Sequence, residues 1–167
     1  MKPALDNFKA TKSKQKRTNF LSWTDYFLSL TQLVSQRSKD PSTQVGAIII
    51  NPQTNTLIST GYNGFPRGCQ DDEFPWDNND KNWLATKYPY MVHAEANAII
   101  HAKQDCEKFV MYTTLFPCHE CAKLIIQSGI KTIYYLIKLE KEQWKDSFEA
   151  SKKMFKASGI NYQKIKE

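Results

Sequence analysis

The chain has no apolar run approaching the roughly 18 residues needed to cross a membrane, and its lysine-rich start is not followed by the apolar stretch of a secretory signal. These absences predict a soluble, cytoplasmic protein with no membrane partner. Cysteine is sparse, at four in 167 residues. Without an export signal, that number argues against a disulfide framework and for metal binding or catalysis. Positive charge is scarce where a nucleic-acid binder would need it. Lys2, Lys9, Lys12, Lys14, Lys16 and Arg17 against Asp6 give the first 17 residues +5 of the chain's net +6, leaving +1 for the other 150. A nearly neutral body lacks the broad basic face of a nucleic-acid binder, so no nucleic-acid partner is expected. Residues 1–17 read as a basic, disordered, solvated tail and residues 18–167 as one domain. A composition of 41% hydrophobic and 24% charged residues suits a globular fold.

What is present alternates in type along the chain. Ser22 followed by Asp25 resembles a capping box, and Phe27, Leu30, Leu33 and Val34 recur at helical spacing, predicting a helix over 23–38 that Asp40-Pro41 ends. Residues 44–51 and 56–62 read as strands joined by the turn residues 51–55, a hairpin. Residues 61–91 form a long irregular stretch rich in Gly, Pro, Asp and Asn. Phe74, Trp76, Trp83, Tyr88 and Tyr90 within it favour an ordered, functional loop over disorder. Helices are then predicted over 93–103, 118–127 and 140–157, with Gly129 and Gly159 as left-handed caps on the last two. Strands are predicted over 109–115, 132–138 and 161–165. The expected fold class is α/β, a mixed five-stranded sheet flanked by helices in three layers.

Two short stretches carry the chemistry: His93-Ala94-Glu95 and Pro117-Cys118-His119-Glu120-Cys121. His93, Cys118 and Cys121 are candidate zinc ligands, the two cysteines lying one helical turn apart at the start of a helix whose positive end favours thiolate. Three protein ligands rather than four leave a coordination position for water, the pattern of a catalytic rather than a structural zinc site. Glu95, two residues beyond the histidine, is the candidate proton shuttle. His119 and Glu120 read as exposed positions, and Cys69 and Cys106 as free thiols.

The order His-x-Glu followed downstream by Pro-Cys-x-x-Cys resembles the signature of zinc nucleobase deaminases. Arg37 to Ala47, Gly61-Tyr62-Asn63-Gly64, Lys87-Tyr88-Pro89-Tyr90 and the run Leu115 to Ile130 narrow this, closely resembling the deoxycytidylate deaminase family from about Trp23 to the C-terminus. The resemblance implies a cytidine-deaminase-like fold and a hydrolase that converts dCMP to dUMP and ammonia on a route to thymidylate. It further implies one catalytic Zn2+ per chain and a homohexamer activated by dCTP and inhibited by dTTP. By position, it makes His93, Cys118 and Cys121 the zinc ligands and Glu95 the catalytic acid and base. Asn63 would meet the deoxyribose 3′-hydroxyl, the Ala94 backbone N–H the pyrimidine O2, and Arg37 the 5′-phosphate. Tyr62 and Gly64 would serve the effector, and Asp71-Asp72-Glu73 would bind it or its Mg2+. Residues 137–144 depart from the family pattern, so no ligand is assigned there. Two rival readings share the zinc ligands: a deaminase of tRNA or single-stranded DNA, and a non-catalytic zinc-binding assembly module. The nearly neutral body counts against the first and Glu95 against the second.

Overall fold

The computed structural model describes residues 15–137 and 142–165. Its elements run α1 (Trp23–Ser35), β1 (Gly46–Asn51), β2 (Thr56–Tyr62), a short 3-10 turn (Trp83–Ala85), α2 (Ala94–Ala102), β3 (Val110–Leu115), α3 (His119–Gln127), β4 (Thr132–Ile137), α4 (Glu142–Ser158) and β5 (Asn161–Lys164). Five strands form one sheet in the order β2-β1-β3-β4-β5. The hairpin β1–β2 and the pair β1–β3 are antiparallel, whereas β3–β4 and β4–β5 are parallel. Parallel neighbours require a crossover, and α3 and α4 supply the two. The mixed α/β sheet expected from the sequence is therefore present.

Strand alternation separates the two faces. Ala47, Ile49, Met111 and Ile133 point to a core shared with residues of α2, α3 and α4, while Ile48, Ile50, Tyr112 and Leu136 point to a second core under Phe27 and Leu28 of α1. All three layers follow from that division. Ala94, Ala98 and Ala102 line one side of α2 and are buried, so small side chains bring its backbone down onto β2. The fit reaches its limit at Gly61, where an added Cβ would stand 2.2 Å from the Ala94 carbonyl oxygen and 2.3 Å from the Ala98 nitrogen. Position 61 thus fixes the height of the α2 start above the sheet.

Several predicted ends move for local reasons. The first helix stops at Ser35, because the N–H groups of Gln36, Arg37 and Ser38 bond three residues back rather than four. Strand β1 begins at Gly46 rather than Gln44 because the Val45 N–H is accepted by the Asn63 side chain and the Gln44 amide bonds Asp40 O. Predicted strand residue Lys138 and the predicted α4 start at Glu140 lie outside the described residues, as do positions 1–14 of the expected tail. Gly129 and Gly159 take positive φ values of 85° and 69°, the left-handed caps expected of them. The long connection after β2 is held by Phe65, Phe74, Trp76 and Tyr90, whose rings pack 4.3–5.5 Å apart, and by the Trp76 indole N–H donated to Asp71 O. Aromatic packing gives the segment a small core of its own. Among the described residues no helix is long and apolar enough to cross a membrane.

Candidate active site

The N-termini of α2 and α3 meet at one point. His93 and Cys118 are the two N-cap residues, both with extended backbone, and neither side chain makes a capping hydrogen bond. Those side chains face each other instead, with His93 Nδ1 3.4 Å from Cys118 Sγ and 3.3 Å from Cys121 Sγ. Ligands held 2.0–2.3 Å from one ion at tetrahedral angles stand roughly 3.5 Å apart, so this donor set fits zinc as it lies. Among the described residues it is the one cluster of three or more such donors.

The electrostatics of the trio match its geometry. A hydrogen bond from Cys121, reinforced by one with His93, outweighs burial and brings the Cys118 thiol down to about 4. His93 is raised to about 9, chiefly by its hydrogen bond with Cys118. Cys121, as the donor to Cys118 and buried as well, is pushed well above the ordinary thiol value. Glu95 is 4% exposed, with its Oε2 3.4 Å from Cys121 Sγ and its Oε1 3.5 Å from Thr113 Oγ1. Burial, then the negative charge on Cys118, raises its carboxyl above the ordinary carboxylate value.

A cavity of ≈ 440 Å³ opens over these groups. His93, Ala94, Glu95 and Cys118 line one part of it; Asp40, Thr43, Asn63 and Lys87 line another. In the second group the Lys87 ammonium, 5% exposed, is bound by both Asp40 oxygens at 2.6 and 2.5 Å and by Ser42 Oγ at 2.6 Å. Burial alone would raise the Asp40 carboxyl, but Lys87 and the backbone N–H groups of Ser42 and Thr43 bring it below its ordinary range. Asn63 donates one amide hydrogen to Asp40 Oδ2 (3.2 Å) and another to Thr43 O (2.9 Å), and its Oδ1 accepts from Val45 N–H (2.8 Å). Tyr88, Trp144 and Phe148 supply apolar wall, the first two meeting edge to face at 6.0 Å.

The structure brings most of the sequence-predicted residues together. His93, Cys118, Cys121 and Glu95 touch, and Ala94 and Asn63 line the same cavity. Arg37 is exposed and does not line it; its guanidinium lies over the Tyr62 ring at 5.9 Å, beside Asn63. Tyr62 and Gly64 also lie outside the lining, Tyr62 38% exposed and Gly64 bridged to Val92. Asp71 pairs with Lys39, and the acids at 71–73 form no ligand cluster among the described residues. His119 and Glu120 are exposed, pair with each other and have no part in the trio. The residues missed from the sequence are Asp40, Lys87 and Trp144. A buried lysine and aspartate separated by 47 positions leave no local pattern, and Trp144 lies in the stretch without family likeness.

Comparison with known proteins agrees with this geometry. Residues 21–137 match the family described as the cytidine and deoxycytidylate deaminase zinc-binding region. Deoxycytidylate deaminase of Pongo abelii is 46% identical over 154 residues, covering 92% of this chain and 85% of the relative, and that of Homo sapiens is 45% identical with the same coverage. The Enterobacteria phage T2 deoxycytidylate deaminase is 32% identical over 180 residues, covering 84% of this chain and 95% of its own. Among solved structures, the dCMP deaminase of cyanophage S-TIM5, in complex with dCMP and dUMP, shares the fold with a TM-score of 0.66 at 23% identity, covering 85% of this chain and 96% of the other. With its sheet, its His-Cys-Cys cluster and these likenesses, the chain belongs to the cytidine and deoxycytidylate deaminase family.

Proposed function

We propose that this chain catalyses the hydrolysis of dCMP to dUMP and ammonia with one zinc ion held by His93, Cys118 and Cys121. The observation that carries the reading is Glu95, a buried carboxyl in contact with the ligand trio on the wall of a cavity large enough for a nucleotide. The relatives named deoxycytidylate deaminase, which match most of this chain, support dCMP as the substrate. When bound, zinc supplies Lewis acidity that makes hydroxide available near neutral pH.

The protein's own groups do the rest. The first N–H groups of a helix have no partner within it, so the Ala94 N–H at the start of α2 is free to bind the pyrimidine O2. Asn63 meets the 3′-hydroxyl of the sugar. A Glu95 carboxyl oxygen takes the proton released as water adds to C4 and passes it to the ring nitrogen, and further transfer lets the C4 amine leave as ammonia. Protonation of Glu95 is favoured by its burial, so it can serve as acid as well as base. Arg37, beside Asn63 through its contact with Tyr62, is the cation we assign to the 5′-phosphate.

The family likeness supports a wider role: a cytoplasmic homohexamer that feeds thymidylate synthesis, activated by dCTP and inhibited by dTTP. Tyr62, Gly64 and the acids at 71–73, with Mg2+, are the side of the molecule we assign to the effector. Ammonia release from dCMP, CMP, deoxycytidine, dAMP and a single-stranded oligonucleotide, with and without each triphosphate, tests the reading. The expected result is turnover of dCMP above all others, raised by dCTP and lowered by dTTP; turnover confined to the oligonucleotide would overturn the substrate.

A further inference from the structure

Asp40 and Lys87 are buried, oppositely charged and on the cavity wall, yet no step of the deamination uses them. A lysine ammonium has three N–H groups, and Asp40 Oδ1, Asp40 Oδ2 and Ser42 Oγ accept all three. Lys87 is therefore spent inside the protein rather than held ready for a phosphate. Asp40 in turn accepts from the backbone N–H groups of Ser42 (2.9 Å) and Thr43 (3.0 Å), besides the Asn63 amide. Three distant parts of the chain, around positions 40, 63 and 87, are tied by this one carboxylate.

The knot decides what Asn63 can offer a ligand. Both of its amide hydrogens point at acceptors, Asp40 Oδ2 and Thr43 O. A flipped amide would set Oδ1 against a carboxylate and a carbonyl, so the orientation is fixed while Asp40 is charged. Oδ1 already takes the Val45 N–H and has a second lone pair to give. Asn63 can accept from a ligand and cannot donate to it. Lys87 maintains that state: a buried carboxylate without its counter-charge favours the neutral form, and a protonated Asp40 would carry a donor that a flipped Asn63 could accept.

We propose that Asp40 and Lys87 are positioning residues that fix Asn63 as an acceptor only, so that the cavity selects a nucleotide whose sugar donates a hydroxyl hydrogen at that point. The inference rests on the proposed deamination of dCMP, in which Asn63 meets the 3′-hydroxyl. It predicts discrimination against a substrate lacking that hydroxyl, and it assigns the discrimination to a charge pair rather than to Asn63 alone.

The experiment compares kcat/KM for dCMP and for 2′,3′-dideoxycytidine 5′-monophosphate in the wild type and in Asp40→Asn/Lys87→Met, which removes both charges together. Zinc content and thermal melting are recorded for each protein. The wild type is expected to favour dCMP roughly ten- to a hundredfold, the loss associated with one substrate hydrogen bond in a buried site. In the double variant the preference is expected to fall to within about threefold, through a loss on dCMP that appears mainly in KM. A merely structural pair would slow both substrates alike, so a folded, zinc-loaded double variant with the wild-type preference overturns the proposal. Should the double variant not fold, Ser42→Ala, at an exposed position that contacts both charges, is expected to lower the preference about two- to fivefold; an unchanged preference there overturns it equally. Wild-type protein that turns over both nucleotides equally removes the positioning role and leaves deamination standing, whereas protein inert to dCMP strikes the function itself.

Discussion

The cavity has two polar walls built in opposite ways. At the His93–Cys118–Cys121 wall, two helix starts 25 positions apart bring their side chains to one point, and the charge they gather is set up to receive a cation. At the Asp40–Lys87–Asn63 wall, residues from three distant segments neutralise one another and leave no free charge. A reactive centre needs groups that remain coordinatively unsatisfied, while a recognition wall gains by being saturated in all but one direction. On the function proposed above, the chemistry belongs to the first wall and the choice of substrate to the second.

Breaking the first wall is expected to give the largest effect. Cys121→Ala should lose zinc and deamination together and lower the melting temperature by on the order of 10 °C through loss of the bound ion, measured by metal analysis and calorimetry. A zinc-free Cys121→Ala protein that stays active would erase the contrast between the walls. At the second wall the expected loss is in stability. Lys87→Met alone strands the Asp40 carboxylate and should cost about 3–5 kcal/mol, whereas Asp40→Asn/Lys87→Met should cost less, both read by urea unfolding. Acid sharpens the comparison further. Asp40 is held below its ordinary value of 3.8 in the folded protein, so its contribution is fully present above that pH and is lost as pH falls through the lower, folded value. Melting of the wild type should therefore decline more steeply below about pH 4 than melting of the double variant. The smallest effect is expected at Arg37→Ala, outside the cavity lining, with a rise of about two- to tenfold in KM for dCMP and little change for deoxycytidine.

The first wall was legible in the sequence because each of its two halves is a local pattern, although the 25 positions between His93 and Cys118 are closed only by the fold. Three residues of separation place Cys118 and Cys121 on one turn, and His-x-Glu sets Glu95 beside the ligand regardless of how the sheet is assembled. The sheet was legible too, since Ile48 to Ile50 and the helix caps at Gly129 and Gly159 are local signals. What was not legible depends on tertiary closure. Asp40 reads as the helix-ending partner of Pro41, and nothing near it announces a lysine 47 positions on. Asn63 reads as a sugar-hydroxyl ligand whose amide could donate or accept, and only its bonds to Asp40, Thr43 and Val45 show that its donors are used. Arg37 stands at a helix end in the sequence, and the early tightening of that helix together with its contact on Tyr62 places it outside the cavity lining.

The most direct test of zinc-dependent deamination at the first wall is dUMP formation from dCMP by Glu95→Ala protein of measured zinc content. Removing the proton shuttle while keeping the ligands should leave about one zinc per chain and lower kcat roughly 10²- to 10⁴-fold. A Glu95→Ala protein that keeps both its zinc and its wild-type rate would contradict the assignment.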